Sequence, residues 1–284
     1  MPNIRVVTDS TCDLPDALIR QHGITVLPVT LQQGSQTFLD RVHLSTDEVL
    51  RPAEPGPFST TPPSPTAFEQ VYRRLQQARP CDGVVSIHVS ARLSATYQAA
   101  VAARDAARNS AFPVGVVDSE SASMGLGLIV LAAAHAAATG ASWTEVMKAA
   151  QRAKGQTHVA AMVDSLEGLL RSGRFPRLVP PGEPAPVLKP VLRLDDGQLV
   201  LLERTRTRHK ALDSLCAFVE DFPHIAALVL LHGAPLPEQE ALLNRLALVC
   251  PRDRIQVVQY GAAHAAYVGG GAVGVAVYEG DAAG

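Results

Sequence analysis

Serine and threonine side chains gather in a few short turns of this chain: TDSTCD around Asp9 and Ser10, TTPPSP beginning at Thr60 and Thr61, SIHVSARLS containing Ser94, and VDSES containing Ser119. Two or three hydroxyl or amide donors at helix N-termini can hold a carboxylate, and the helix dipole there favours the negative charge. An aliphatic body attached to that carboxylate needs only a slot lined by small, apolar side chains. The same hydroxyls are also the side chains that cap helices, so the residue types leave anion binding and capping both open.

Other chemistries find less support. GLGLIV and GGGAVG do not complete the dinucleotide glycine pattern after a first strand, and no phosphate-loop motif is present. Ser64, Ser94 and Ser119 lack a nucleophile elbow, and His88, Ser94 and Asp118 supply only the residue types of a triad, not its geometry. The 9 histidines form no HExxH or HxH pair, and Cys12, Cys81, Cys216 and Cys250 form no CxxC, so no metal and no cofactor are expected. Widely spaced cysteines suit thiols in a reducing compartment. The charge of −2, from 25 basic and 27 acidic residues without long runs, offers no footprint for nucleic acid. The N-terminus runs directly into a strand pattern without a leader signature, and the most apolar stretch, Gly125 to Ala138, falls short of the roughly twenty residues of a membrane span. A cytoplasmic protein without membrane insertion is expected.

The elements that position these turns follow from periodicity. Ile4–Val7, Ile24–Thr30, Gly83–His88 and Val114–Val117 read as strands, with Pro28 marking an edge or a strand end. Helices begin at Pro15, where the preceding Asp, Ser and Thr are expected to cap, and then at Thr66, Tyr97 and the segment ending at Gly140. Ser45 is expected to cap a short helix inside an otherwise polar connection reaching Pro57, and a proline-crowded loop follows. Strands alternating with helices predict a parallel sheet whose ligands lie beyond the strands' carboxyl ends. After a helix over Trp143–Gly155 the pattern changes. A strand in HVAAMVD, a helix ended by Gly173, a Pro/Gly-rich connection over Pro176–Pro186, a hairpin turning at Asp196-Gly197, and further βα units predict a mixed sheet. With 284 residues the chain suits two domains, residues 1–155 and 156–284, with the boundary near Gly155.

Taken together, VVTDSTCDLP, TTPPSP, VVSIHVSARLSATYQAA, VVDSESASMGLGLIV, MVDSLEGLLRSGR, LKPVLRLDDGQLVLLERTRTRHKAL and the late GGGAVGVAV resemble the DegV family in order along essentially the whole chain. The resemblance implies a three-layer α/β/α domain with a parallel sheet, a two-layer α/β domain with a mixed sheet, and a long-chain fatty acid, about C14–C20 and typified by palmitate, held between them. It implies a carrier and not an enzyme: the acid's carboxylate is presented to a separate ATP-dependent fatty acid kinase, whose acyl phosphate feeds phospholipid synthesis. Carried over by motif, Thr60, Thr61 and Ser94 are the head-group donors. Asp9, Ser10 and Ser119 support the pocket, and Arg206, with Arg174 behind it, supplies a cation near the head group or the partner. Two positions depart from the family pattern. Ala95 replaces a glycine in LSATY, where a positive φ would be costly for alanine. Tyr267 stands where the family has a histidine, and its hydroxyl can still enter a hydrogen bond; His264 is not the aligned position. A lipid-binding regulatory protein without kinase coupling, and a hydrolase using Ser94 or a fold-related small-molecule kinase, are the alternative readings.

Overall fold

The structure is a computed structural model describing residues 1–51, 56–78, 80–106, 112–173 and 188–280. The chain opens with β1 (Ile4–Asp9), α1 (Asp16–Gln21), β2 (Thr25–Leu27), β3 (Thr30–Gln33), β4 (Gln36–Leu39), α2 (Thr46–Leu50), β5 (Ser59–Thr61) and α3 (Pro65–Gln77). It continues with β6 (Gly83–His88), α4 (Thr96–Ala106), β7 (Val114–Asp118), α5 (Met124–Ala138) and α6 (Trp143–Gly155). The remainder is β8 (Thr157–Met162), α7 (Glu167–Arg171), β9 (Val191–Asp195), β10 (Gln198–Glu203), α8 (Arg208–Glu220), β11 (Ala227–His232), α9 (Gln239–Leu246), β12 (Ile255–Gln259), α10 (Ala262–Val268) and β13 (Val273–Tyr278).

The first sheet has the order β2-β1-β6-β7, and every pairing in it is parallel. Strands buried on both faces need apolar residues at successive positions, which explains the runs Val6-Val7 and Val84-Val85. Val7, Val84 and Val116 turn to α3 and α4, where they meet Phe68, Tyr72, Ala100 and Ala103. Val6, Val85, Ile87 and Val117 turn the other way, onto α5 and α6. The result is the expected three-layer α/β/α arrangement.

A six-stranded mixed sheet, β10-β9-β8-β13-β11-β12, follows, antiparallel except for β11 with β12. One face carries α8 and α9 over Met162, Leu228, Leu230, Val275 and Val277. The opposite face presents Val159, Val229, Leu231 and Ala276 to the core shared with the first sheet. Helix α5 packs against strands of both sheets. Apolar surface on two sides accounts for a helix whose sequence, MGLGLIVLAAAHAAA, offers no polar face over its first half.

Two local expectations change, and one segment without an assigned element proves helical. The polar connection before Pro57 contains two strands of an antiparallel sheet of order β4-β3-β5, because β3 and β4 turn through Gly34 at φ 57° and Ser59–Thr61, just after Pro57, pairs back onto β3. Asp9 does not cap α1; it accepts from the Thr11 N–H and holds a single 3₁₀ turn, Ser10–Cys12, while Pro15 occupies the cap position of α1 without a side-chain bond. The small-residue stretch Ala262–Val268 is the helix α10. Other expectations stand: Ser45 and Glu48 form a reciprocal capping box, and Asp196 and Gly197 take φ of 46° and 76°, as a two-residue hairpin of mirror-image type requires. Of the Pro/Gly-rich connection Pro176–Pro186, all residues lie outside the described ones, as does Arg174.

Candidate functional site

The parallel sheet delivers three loops to one place. After β1 the 3₁₀ turn sets Thr11 outward and keeps Asp9 and Ser10 buried. After β6 comes the segment carrying Val89, Leu93 and Ser94, and after β7 the turn carrying Ala122 and Ser123. Thr60, Thr61 and Pro62 arrive from β5, and His264, Tyr267 and Val268 from α10. These groups line one end of a cavity. Its body is the inner face of the mixed sheet, with Val159, Ala161, Leu192, Leu194, Leu199 and Leu231 among the lining side chains.

Each polar group is positioned by a specific bond. Tyr267 Oη accepts from the Thr60 N–H at 3.0 Å and lies 2.7 Å from Thr60 Oγ1, which ties α10 to β5. Ser94 Oγ accepts from the Thr96 N–H at 3.3 Å and pairs with Thr96 Oγ1 at 2.9 Å, anchoring the start of α4. Ala95 does not adopt a positive φ, so the turn accepts alanine without the strain expected from loss of glycine. Ser123, by contrast, sits at φ 52°, a sparsely populated region for a residue with a Cβ. Its hydroxyl donates to Asp13 Oδ2 at 2.6 Å, a charge-assisted bond that helps hold the turn there.

Behind the cavity wall lies a buried acidic group. Asp13, itself at φ 52°, accepts from the Gly261 N–H through Oδ1 at 2.9 Å and faces His264 Nδ1 through Oδ2 at 2.9 Å, an ion-pair distance off the line of a hydrogen bond. Asp40 is 1% exposed, and neither of its oxygens completes a well-aligned hydrogen bond. Burial, with the charge of Asp13, pushes the Asp40 carboxyl up to about 6 against the pull of Ser10 and His264. For His264, burial alone would depress the imidazole; the carboxylate of Asp13, aided by Asp40 and Asp9, outweighs it and raises the pKa above the ordinary value.

Of the residues singled out by sequence, Thr60, Thr61, Ser94 and Tyr267 line the cavity together. Asp9, Ser10 and Ser119 do not. Asp9 receives the Val89 N–H at 3.1 Å and meets His88 Nδ1 at 3.0 Å; Ser10 Oγ receives the Val29 N–H; Ser119 closes its own turn onto Ser121. Burial would raise the Asp9 carboxyl, but the hydrogen bond and charge of His88 carry it below its usual value. Arg206 is exposed and outside the lining, because Thr205 takes the buried position and the next side chain points away. His88, Ser94 and Asp118 do not assemble as a triad: His88 bonds Asp9 and Ser86, while Asp118 receives the N–H groups of Ala91 and Glu120. Thr11, Ser123 and His264 are lining residues that the sequence did not single out; Thr11 lies in the TDSTCD turn and Ser123 two residues past VDSES. Among the described residues no group of His, Cys, Asp and Glu side chains is arranged to hold a metal, and no helix is long and apolar enough to cross a membrane.

Comparison with known proteins places this geometry. A family model described as "Uncharacterised protein, DegV family" matches residues 3–280. A DegV domain-containing protein of Streptomyces coelicolor is 34% identical over 97% of this chain and 98% of its own length, and one of Mycobacterium bovis is 35% identical over 96% of both. Among solved structures, a DegV family protein from Thermus thermophilus described by its fatty acid binding superposes with a TM-score of 0.84 at 30% identity, covering 98% of this chain and 99% of that one. DegV from Bacillus subtilis, described as a fatty acid binding protein, gives a TM-score of 0.84 at 25% identity over 98% and 100% of the two chains.

Proposed function

The chain belongs to the DegV family, and from that premise we propose that it binds a long-chain fatty acid of about C14–C20, palmitate among them, as a carrier without catalysis of its own. The observation that carries this reading is the cavity's division of labour. Aliphatic side chains of the mixed sheet form its body, and hydroxyls cluster where the parallel strands finish. A hydrocarbon chain gains from leaving water in proportion to the area buried, whereas a carboxylate is tolerated inside only where donors meet it.

In this reading Thr60, Thr61 and Ser94 donate to the carboxylate, with Thr11 and Tyr267 beside them, and Asp9, Ser10 and Ser119 hold the turns from behind. The acid lies between two domains, residues 1–155 and 156–284. Presentation of the carboxylate to a separate ATP-dependent fatty acid kinase, for phospholipid synthesis in the cytoplasm, completes the proposal. Arg206 and Arg174 are surface candidates for that encounter. Equilibrium dialysis with radiolabelled palmitate tests the binding: saturable uptake near one equivalent supports it, and absence of uptake by delipidated protein refutes it. Kinase coupling is tested separately, by ATP-dependent acyl phosphate formation when an acyl kinase is added to the loaded protein. Formation at the rate seen with free acid alone would remove that part.

A further inference from the structure

The cavity has a hydroxyl-lined end, but hydroxyls do not neutralise charge. Among the described lining residues His264 is the one side chain able to carry a positive charge. Its Nδ1 is closed off from solvent and faces Asp13 Oδ2 at 2.9 Å, and the residue lines the cavity. It also stands one helical turn before Tyr267 on α10, and residues three apart share a helix face. Tyr267 touches Thr60, so the imidazole borders the hydroxyl end.

The carboxylates around the ring favour its charged form over the neutral one. Asp13 comes from the turn after β1, Asp40 from the end of β4, and Asp9 from the end of β1, and all three favour the imidazolium. Asp40 is buried and neither of its oxygens completes a well-aligned hydrogen bond, an arrangement that costs energy unless a nearby positive charge offsets it. Charged groups on the other elements packed against α10 are engaged elsewhere: Glu48 of α2 bonds Ser45, Asp47 receives Gln259, and Glu167 and Arg171 of α7 pair with each other. Arg41, next to Asp40, pairs with Asp16.

We propose that His264, backed by Asp13 and Asp40, is the counter-ion of the bound acid, so that capture of a carboxylate head requires a proton on this ring. This rests on the fatty-acid reading above and adds to it a residue and a ligand preference: acids over uncharged lipids of the same length. A carboxylate withdrawn from water is stabilised chiefly by an opposite charge within reach, and charge-assisted bonds exceed neutral ones.

The test compares the natural chain with His264→Gln by equilibrium dialysis against palmitate and against hexadecanol. The expected result is a loss of palmitate affinity of about tenfold or more with hexadecanol affinity unchanged, which also certifies that the variant's cavity is intact. Equal loss for both ligands would reduce His264 to a shaping role and overturn the inference, as would palmitate binding unaffected by the substitution. A natural chain that takes up neither ligand would instead refute the fatty-acid reading itself. If hexadecanol binds too weakly to measure, the pH profile decides. As pH rises above the range of Asp40, whose value is about 6, and through that of the raised His264 imidazole, palmitate affinity should fall for the natural chain and stay level for His264→Gln. Parallel profiles would overturn it.

Discussion

A hydroxyl is an informative residue only when its own bond is known. Ser94 both faces the cavity and accepts from the Thr96 N–H at the start of α4, while Thr60 faces it with Tyr267 beside it. Ser94→Ala and Thr60→Ala should therefore each weaken palmitate binding by about 1–3 kcal/mol, and Ser94→Ala should additionally cost about 1 kcal/mol of stability through loss of its bond to the Thr96 N–H. Calorimetry and urea unfolding separate the two effects; unchanged affinity in both variants would contradict the site. Asp40 makes a prediction of opposite sign. Its folded pKa, about 6, exceeds the usual carboxylate value, so the folded state binds the proton more tightly and stability falls as pH rises from about 4 to about 6, then levels off. Asp40→Asn should flatten that interval in pH-dependent unfolding, and a variant as pH-sensitive as the natural chain would contradict the assignment. Asp9 works the other way: its lowered pKa adds stability above the ordinary carboxylate range that is lost as pH falls through the folded value. At this scale the sequence picked out Thr60, Thr61 and Ser94 through their motifs, and all three line the cavity. It could not reveal that a three-residue turn would bury Asp9 and Ser10 and expose Thr11, since a rotation of one position inside such a turn leaves the composition unchanged.

Elements were legible in proportion to their periodicity. The β-branched runs of β1, β6 and β7, the capping box of α2 and the Asp-Gly hairpin each carry a local signal that packing does not reverse. The β3–β5 sheet was hidden because QQGSQ lacks apolar alternation and the prolines nearby suggested an irregular loop. α10 was hidden because AAHAAYV is short and built largely of small residues, and its stability comes from packing on α2 and α7. α5 shows how tightly elements constrain one another: a Cβ at Gly127 would stand 2.7 Å from the Cys12 carbonyl oxygen, a backbone atom that cannot step aside. Gly127→Ala should accordingly lower stability by roughly 1–3 kcal/mol despite alanine's better helix propensity. A midpoint of unfolding equal to or above that of the natural chain would show that α5 can shift between the two sheets.

At the scale of the molecule, the cavity exists because two sheets share α5 and the core around it, leaving the inner face of the mixed sheet uncovered beside the loops of the parallel one. No single motif encodes that juxtaposition. It follows from long-range packing, which is why the sequence named turns that line the cavity but gave His264 no place there, since its setting depends on Asp13 and Asp40 far away in the chain. The most direct measurement is native mass spectrometry of the protein expressed in bacterial cytosol and purified without added lipid. The account predicts a noncovalent added mass, released on activation, that matches a single saturated or monounsaturated acid of about C14–C20. Protein that is consistently empty, and stays empty after incubation with palmitate, would contradict it.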